Sequence, residues 1–332
     1  MKKIPLILLL ALLSACKKNN QETAIEKNKT DASVNINYKQ EMRNFVIGIS
    51  RYAKTINSKF AVIPQNGIQL VTVDGESTGA PNSAYLNAID GNGQEDLYFG
   101  YDNDNEPTSA AVTNDLRSYL DISKKNGKKI LVTDYCSTPS KMASSYQVNG
   151  ANGYISFAAD QRELNNIPAF PAKINNENAN VITSLSEAKN FLYLINTDNF
   201  KSKADFIKAV SATNYDALIM DAYFNNIAFT SAEVNALKKK ANGGTRQVIS
   251  YMSIGEAENY RYYWQKAWKP GNPVWLDAEN PNWPGNYKVK YGNKDWQSII
   301  YGNDASYLKK ILNAGFDGVY LDIIDAFEYY EG

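Results

Sequence analysis

Histidine is missing from all 332 residues of this chain. Its absence excludes Ser-His-Asp and Cys-His catalysis, and it excludes a His-ligated zinc or iron centre. Cysteine is nearly missing as well, with only Cys16 and Cys136. Cys16 lies in a leader-like segment, so Cys136 has no partner and no disulfide is expected. The longest apolar run, Leu6 to Leu13, is too short for a stable membrane span. Charge of one sign is lacking too: 35 basic residues balance 35 acidic ones, with no basic stripe to hold nucleic acid. No G-x-G-x-x-G follows a strand-like run, so no dinucleotide or other cofactor is expected, and no metal. Any catalysis must rest on carboxylates, Tyr, Lys, Arg, Asn, Gln or Ser.

The first segment reads as a targeting signal. Lys2 and Lys3 precede the Leu6–Leu13 run, and Leu13-Ser-Ala-Cys16 resembles a bacterial lipobox. That resemblance implies a signal peptide over 1–15, cleavage before Cys16, and lipid on Cys16. The expected location is the bacterial cell envelope, lipid-anchored, facing the periplasm or on the outer-membrane surface. An ordinary signal peptide with a chance cysteine is the alternative. Residues 17–37 are polar and poor in large apolar groups; with Cys16 they read as a flexible tether. About 295 residues remain, a normal size for one α/β barrel over 38–332.

Eight short apolar runs recur: Phe60–Ile63, Leu97–Phe99, Lys129–Thr133, Tyr154–Phe157, Phe191–Ile195, Ala217–Met220, Val248–Tyr251 and Val319–Leu321. Such runs read as parallel strands buried on both faces. Helical patterns lie between them, at Glu41–Ile56, Thr113–Asn126, Ser202–Thr213, Ser231–Ala241 and Ala305–Ala314. Thr230 or Ser231 before Glu233 resembles an N-cap, and Asn126-Gly127 and Asn242-Gly-Gly244 read as helix stops. Eight strands alternating with helices predict an α/β (β/α)8 TIM barrel.

The C-terminal strand tips of such a barrel converge on one face, where chemistry is placed. Gln65 and Asn66 follow one run, and Asp134-Tyr135, Asp221, Glu256 and the Asp322/Asp325 pair follow others. Glu95 precedes its run, so its place on that face is open. Each carboxylate alone reads equally as a helix cap or turn residue. The 23 tyrosines and 5 tryptophans suit stacking on sugar rings, though aromatics more often fill cores. The polar stretch 161–183 falls mid-barrel and looks like a linker that needs a reason.

Longer motifs carry a family likeness. They are Ser250-Tyr-Met-Ser-Ile-Gly-Glu-Ala-Glu-Asn-Tyr-Arg-Tyr-Tyr-Trp264, Asn282-Trp-Pro-Gly-Asn-Tyr-Lys-Val-Lys-Tyr291, Ile63-Pro-Gln-Asn-Gly67, Asp90-Gly-Asn-Gly-Gln-Glu-Asp-Leu-Tyr98 and Gly315 to Tyr329. Together they resemble extracellular glycoside hydrolases related to endo-α-1,4-polygalactosaminidase, glycoside hydrolase family 114. The resemblance implies a TIM barrel with Asp322 and Glu95 as the catalytic acids. It also implies an α-linked, galactosamine-type polysaccharide or oligosaccharide substrate. The motif order differs from the family's, which implies circular permutation, with 161–183 joining the two permuted halves. Asp325, Glu256, Asp221, Tyr251, Gln65, Asn66, Asp134, Tyr135 and Arg261 are expected to contact substrate. For Glu256 and Arg261 an ion pair between loop segments is the bland alternative, and core packing is the alternative for most aromatics of 260–291. A monomer is expected. The competing function is a non-catalytic glycan-binding lipoprotein on the same barrel.

Overall fold

A computed structural model describes residues 36–331. The expected signal peptide and Cys16 lie outside the described residues. Eight short strands run parallel: β1 (Ala61–Pro64), β2 (Gly91–Glu95), β3 (Lys129–Tyr135), β4 (Ile155–Ala159), β5 (Phe191–Tyr193), β6 (Ala217–Asp221), β7 (Gln247–Ser253) and β8 (Gly318–Asp322). They form two sheets, ordered β1-β8-β7-β6-β5 and β2-β3-β4. Register places Ile63 and Tyr251 on either side of Tyr320, and Glu95 beside Thr133. The sheets meet at β1 and β2, where Asn66 N–H donates to the Gly93 carbonyl and Asp90 N–H to that of Val62, both at 2.9 Å. Across the other junction β4 and β5 share no ladder among the described residues. They approach through Phe157 and Phe191, whose rings lie 6.0 Å apart.

Seven of the eight apolar runs are strands. The exception is Leu97–Phe99, which lies in the loop after β2; the strand itself is Gly91-Asn-Gly-Gln-Glu95. The reason is steric. Tyr320 of β8 crosses the interior, and a Cβ on Gly93 would sit 2.0 Å from its hydroxyl. Large side chains from neighbouring strands fill the space, so β2 carries none, and a search for apolar runs passes over it.

The interior side follows from alternation. Successive residues of a strand face opposite ways, and register partners face the same way. Gly93 and Tyr320 meet inside, so Glu95 and Asp322, two residues on, also point inward at the rim. Tyr251 and Asp221 follow through register with Tyr320. Asp134 falls on the opposite, helix-facing side of β3.

Helices cover the sheets where apolar spacing allows. Helix α1 (Tyr38–Ile56) buries Met42, Phe45, Val46, Ile49 and Ala53, and the Asn37 side chain caps it by accepting from Gln40 N–H at 2.8 Å. Further helices are α2 (Ser83–Ala88), α3 (Ala110–Lys125), α4 (Pro139–Ala151), α5 (Lys203–Ser211), α6 (Ser231–Leu237), α7 (Lys294–Ile300), α8 (Tyr307–Asn313) and α9 (Ala326–Glu331). The Thr230/Glu233 capping box forms at α6. That helix stops four residues before the expected Ala241, because Lys238 to Lys240 turn away to meet Gly244 and Arg246. At the end of the described chain, Tyr330 stacks on Tyr38 at 5.3 Å and Glu331 pairs with Lys39. The residues from Asn37 onward form one compact unit.

No α-helix covers the path from β4 to β5, only a single 3-10 turn at Leu185–Glu187. Residues 161–183 instead form an ordered strap. Arg162 donates to Asp96 and to the Gly100 carbonyl, each at 2.9 Å. Asn178 donates to Asp216 at 2.9 Å, and Lys240 meets that carboxylate at 2.8 Å, fully buried. Among the described residues no helix is long and apolar enough to cross a membrane.

Gly93→Ala should destabilise the fold by about 1–3 kcal/mol, the usual cost of overpacking. Tyr320 Oη has no hydrogen-bond partner. Adding Tyr320→Phe should therefore recover part of the loss. Urea unfolding of the three proteins tests this; equal stability of Gly93→Ala and wild type would refute it.

Candidate active site

Two carboxylates end strands on the same rim, with β1 between them. Glu95, the last residue of β2, accepts from Asn66 Nδ2 at 2.9 Å and from the Tyr135 hydroxyl. Asn66 Oδ1 in turn accepts from Glu95 N–H at 3.1 Å and Gln94 Nε2 at 3.3 Å. Asn66 therefore clamps Glu95 from both ends, in a left-handed conformation with φ 58° that Asn tolerates. Asp322, the last residue of β8, accepts from the Tyr251 hydroxyl at 2.6 Å.

Asp322 is pushed up to about 7, by burial first and then by the negative charge of Glu95. The bonds from Tyr251 and from the Ile323 N–H oppose that rise without cancelling it. Asp322, its pKa raised, thus stands near a second carboxylate, an arrangement suited to acid–base chemistry.

Beyond Asp322 the backbone is strained. Ile323 is β-branched, yet it has φ 58°. Neighbouring loops over-determine the turn. Ile254 N–H donates to the Asp322 carbonyl at 3.1 Å, and a Cβ on Gly255 would lie 2.2 Å from the Ile323 carbonyl oxygen. Ile324 is wholly buried, against Gly67 of the β1 loop. Strain of this kind costs on the order of 1–3 kcal/mol and persists only where packing enforces it. The turn delivers Asp325, whose carboxyl burial and the charge of Glu328 raise to about 6.

Two cavities open here. One, of about 420 Å³, is lined by Glu95, Asn66, Asp96, Tyr101 and Asp325. The other, of about 290 Å³, is lined by Glu256, Asn280, Lys288, Asp325 and Tyr329. Asp325 and Glu328 border both. Among the described residues no cluster of three His, Cys, Asp or Glu side chains is placed to hold a metal ion.

Several expected substrate contacts have other partners. Asp134 is fully buried and accepts from Ser145, Asn149 and the N–H groups of Tyr98 and Phe99. It anchors the loop after β2 to α4 instead of facing a ligand, because it points to the helix side. Arg261 is also buried, its guanidinium divided between Glu258 at 2.6 Å and Asp221 at 2.7 Å. Arg261 is thus ion-paired, but with Glu258 and Asp221 and not with Glu256. Gln65 is buried and accepts from the Tyr193 hydroxyl at 2.9 Å. Tyr135 and Tyr251 hold the two carboxylates. Of the aromatics, Trp275, Trp296 and Tyr291 pack in the core, whereas Trp283 and Tyr260 are exposed.

Sequence reading missed Tyr193, Asp96, Gln94 and Tyr101. Alternation along Phe191-Leu-Tyr193 would have found the first. Tyr101 carries no local signal, being placed by a loop that Asp96, Arg162 and Asp104 tie down.

Asp322 also has a stability signature. A carboxyl whose pKa is raised on folding favours the native state at low pH. That advantage is lost as pH climbs from the ordinary carboxylate range through about 7. Asp322→Asn should therefore raise the melting temperature at pH 8 by roughly 2–5 °C. The gain should shrink towards zero at pH 4. Calorimetry at the two pH values checks this; an equal or negative change at both would refute it.

Comparison with known proteins bears on the C-terminal half of the chain. Residues 172–332 match the model of Glycoside-hydrolase family GH114, just under half of the sequence. An uncharacterized protein of Methanocaldococcus jannaschii is 38% identical over 184 residues, 53% of this chain and 49% of that protein. Uncharacterized proteins of Deinococcus radiodurans and Thermotoga maritima are 40% and 48% identical over 126 and 82 residues. These cover 38% and 25% of this chain, and 38% and 24% of the relatives. The chain thus spans about half or less of the length of the curated relatives it matches. The family match includes Asp322 and the turn to Asp325; Glu95 lies outside it. The match shows likeness to this family over the C-terminal half of the chain.

Proposed function

We propose that this protein hydrolyses an α-linked polysaccharide through Asp322 and Glu95. The observation that carries the reading is the coupled pair itself. Two carboxylates sit on one rim, each fixed by a tyrosine hydroxyl, and Asp322 is raised to about 7 by burial first and then by the charge of Glu95. Glycoside hydrolysis needs one carboxyl protonated and one ionised. The protonated member gives its proton to the glycosidic oxygen as the bond to the anomeric carbon breaks. The ionised member either attacks that carbon or takes a proton from the attacking water. Water ends as a hydroxyl on the anomeric carbon, and the acid is restored.

An amino-sugar substrate of galactosamine type suits this rim, where Glu95, Asp322, Asp325, Glu328 and Glu256 gather negative charge. We further infer a closed (β/α)8 barrel, circularly permuted with respect to GH114. In support, the family match covers only β5 to β8 among the barrel strands, and α9 lies against the start of α1 through the Tyr38–Tyr330 stack. The strap 161–183 then joins the permuted halves. The leader motif supports a lipid anchor on Cys16 in the bacterial envelope, with the barrel acting as a monomer.

Glu95→Gln and Asp322→Asn should each lower kcat by about 10²–10⁴-fold on α-1,4-linked galactosamine oligosaccharides, with glycan binding retained. The pH profile of kcat/KM should show one limb near 7 that Asp322→Asn removes. Reducing-end release and product chromatography measure both. Glycan binding by wild type without cleavage, unchanged in the variants, would leave a glycan-binding protein instead.

A further inference from the structure

Arg162 belongs to the strap, yet its guanidinium reaches two neighbours of Glu95. Its central carbon lies 3.9 Å from the centre of the Tyr135 ring. Nη2 donates to Asp96 Oδ1 and to the Gly100 carbonyl, each at 2.9 Å, and Nη1 donates to Asp96 Oδ2 at 3.3 Å. Nε donates to Asp104 at 2.7 Å. A planar guanidinium can bind carboxylates at its edge and an aromatic ring on its face at once. A lysine ammonium does not reproduce that geometry.

Both neighbours bear on the Glu95 carboxylate. Tyr135 is buried, and its hydroxyl donates to Glu95. Asp96 follows Glu95 in the chain with φ 59°, a left-handed backbone that Asp tolerates. The guanidinium thus contacts the ring that holds Glu95 and the turn that ends its strand. The fit is close: a Cβ on Gly100 would lie 2.2 Å from Asp96 Oδ1, and 3.1 Å from both Arg162 Nη2 and Tyr135 Cβ. The Tyr135 main chain is anchored separately. Its N–H donates to the Phe99 carbonyl at 3.1 Å, and its carbonyl accepts from Asn105 N–H at 2.9 Å. Loss of Arg162 would therefore loosen the ring and leave the strand in place. The ion pairs alone would pin the strap; the stack on Tyr135 is the contact that bears on Glu95.

We propose that Arg162 is a positioning residue for Glu95: stacked on Tyr135 and paired with Asp96, it holds the Tyr135 hydroxyl against the Glu95 carboxylate. Its effect on rate rests on the hydrolase reading; its effect on the Tyr135–Glu95 contact rests on geometry alone. The strap then does more than bridge β4 and β5, because its first turn sets the aim of a rim carboxylate. Arg162 lies outside residues 172–332, the part that matches GH114.

The test compares the full chain with Arg162→Ala, Arg162→Lys, Tyr135→Phe and the Arg162→Ala/Tyr135→Phe double variant, on α-1,4-linked galactosamine oligosaccharides. Arg162→Ala should lower kcat about 10- to 100-fold, the scale of a misplaced catalytic group, while KM moves less than about threefold. Arg162→Lys keeps the charge without the plane and should recover only part of the loss. In the Tyr135→Phe background the hydroxyl is already gone, so Arg162→Ala should cost less than about a further twofold. If Arg162 only pins the strap, the two losses multiply instead. A crystal structure of Arg162→Ala should show the Tyr135 hydroxyl beyond hydrogen-bond reach of Glu95, more than roughly 3.5 Å away. If Arg162→Ala does not fold, Arg162→Lys takes its place in the cycle and in the crystal. The proposal is overturned if the Tyr135–Glu95 bond survives in the variant, if the losses multiply, or if an active enzyme keeps its kcat. If wild type cleaves the oligosaccharides while that bond survives, only the positioning role fails. If wild type cleaves nothing while the bond is lost, only the hydrolase reading fails.

Discussion

The fold depends on how its interior is filled by tyrosines. Tyr320 crosses from β8 into the space that Gly93 leaves open, and Tyr193 packs edge-on against it at 5.2 Å. These rings supply the volume that aliphatic layers supply inside parallel β/α barrels. They also place hydroxyls high in the interior, under the rim. Tyr135 and Tyr251 extend the pattern one level up, where their hydroxyls meet Glu95 and Asp322. One residue type thus fills the core and aims the carboxylates, and a glycine-rich β2 is the steric consequence.

That packing sets the electrostatics. Burial at the rim removes water from Asp322, and the nearby Glu95 adds like charge. Tyrosine donors oppose the cost only in part, since neutral hydroxyls stabilise a carboxylate less than a cation would. Cations are present elsewhere. Arg261 is taken by Glu258 and Asp221, and Arg162 by Asp96 and Asp104. Asp322 and Glu95 are therefore left without an ion-pair partner among the described residues. The strained turn at Ile323 belongs to the same logic: rigid neighbours hold an unfavourable backbone between Asp322 and Asp325, and Asp325 borders both cavities.

The strap at 161–183 shows how a parallel fold tolerates a missing helix. Pro168 and Pro171 interrupt it, so it forms no helix between β4 and β5, although Leu164 and Ile182 are buried. Specific bonds pin it at both ends instead, from Arg162 at the rim to Asn178 and the buried Lys240–Asp216 pair at the base. The proposed permutation offers a reason for a connection of this kind at this place.

Much of the architecture was legible in the chain, because parallel strands buried on both faces must be runs of apolar residues. Seven strands and Asp322 at a strand tip follow from that rule. The eighth strand does not, since its neighbours supply its side-chain volume; Glu95 therefore looked as if it preceded a strand when it ends one. Alternation along β3 could have separated Tyr135 from Asp134. By contrast, nothing local tells that Arg261 is saturated by Glu258 and Asp221. The sequence by itself determined the parallel α/β class, the lack of histidine chemistry and the supply of carboxylates. Only the tertiary structure decided which carboxylates share a rim and which are caps or ion pairs, because burial and partnership depend on residues distant in the chain.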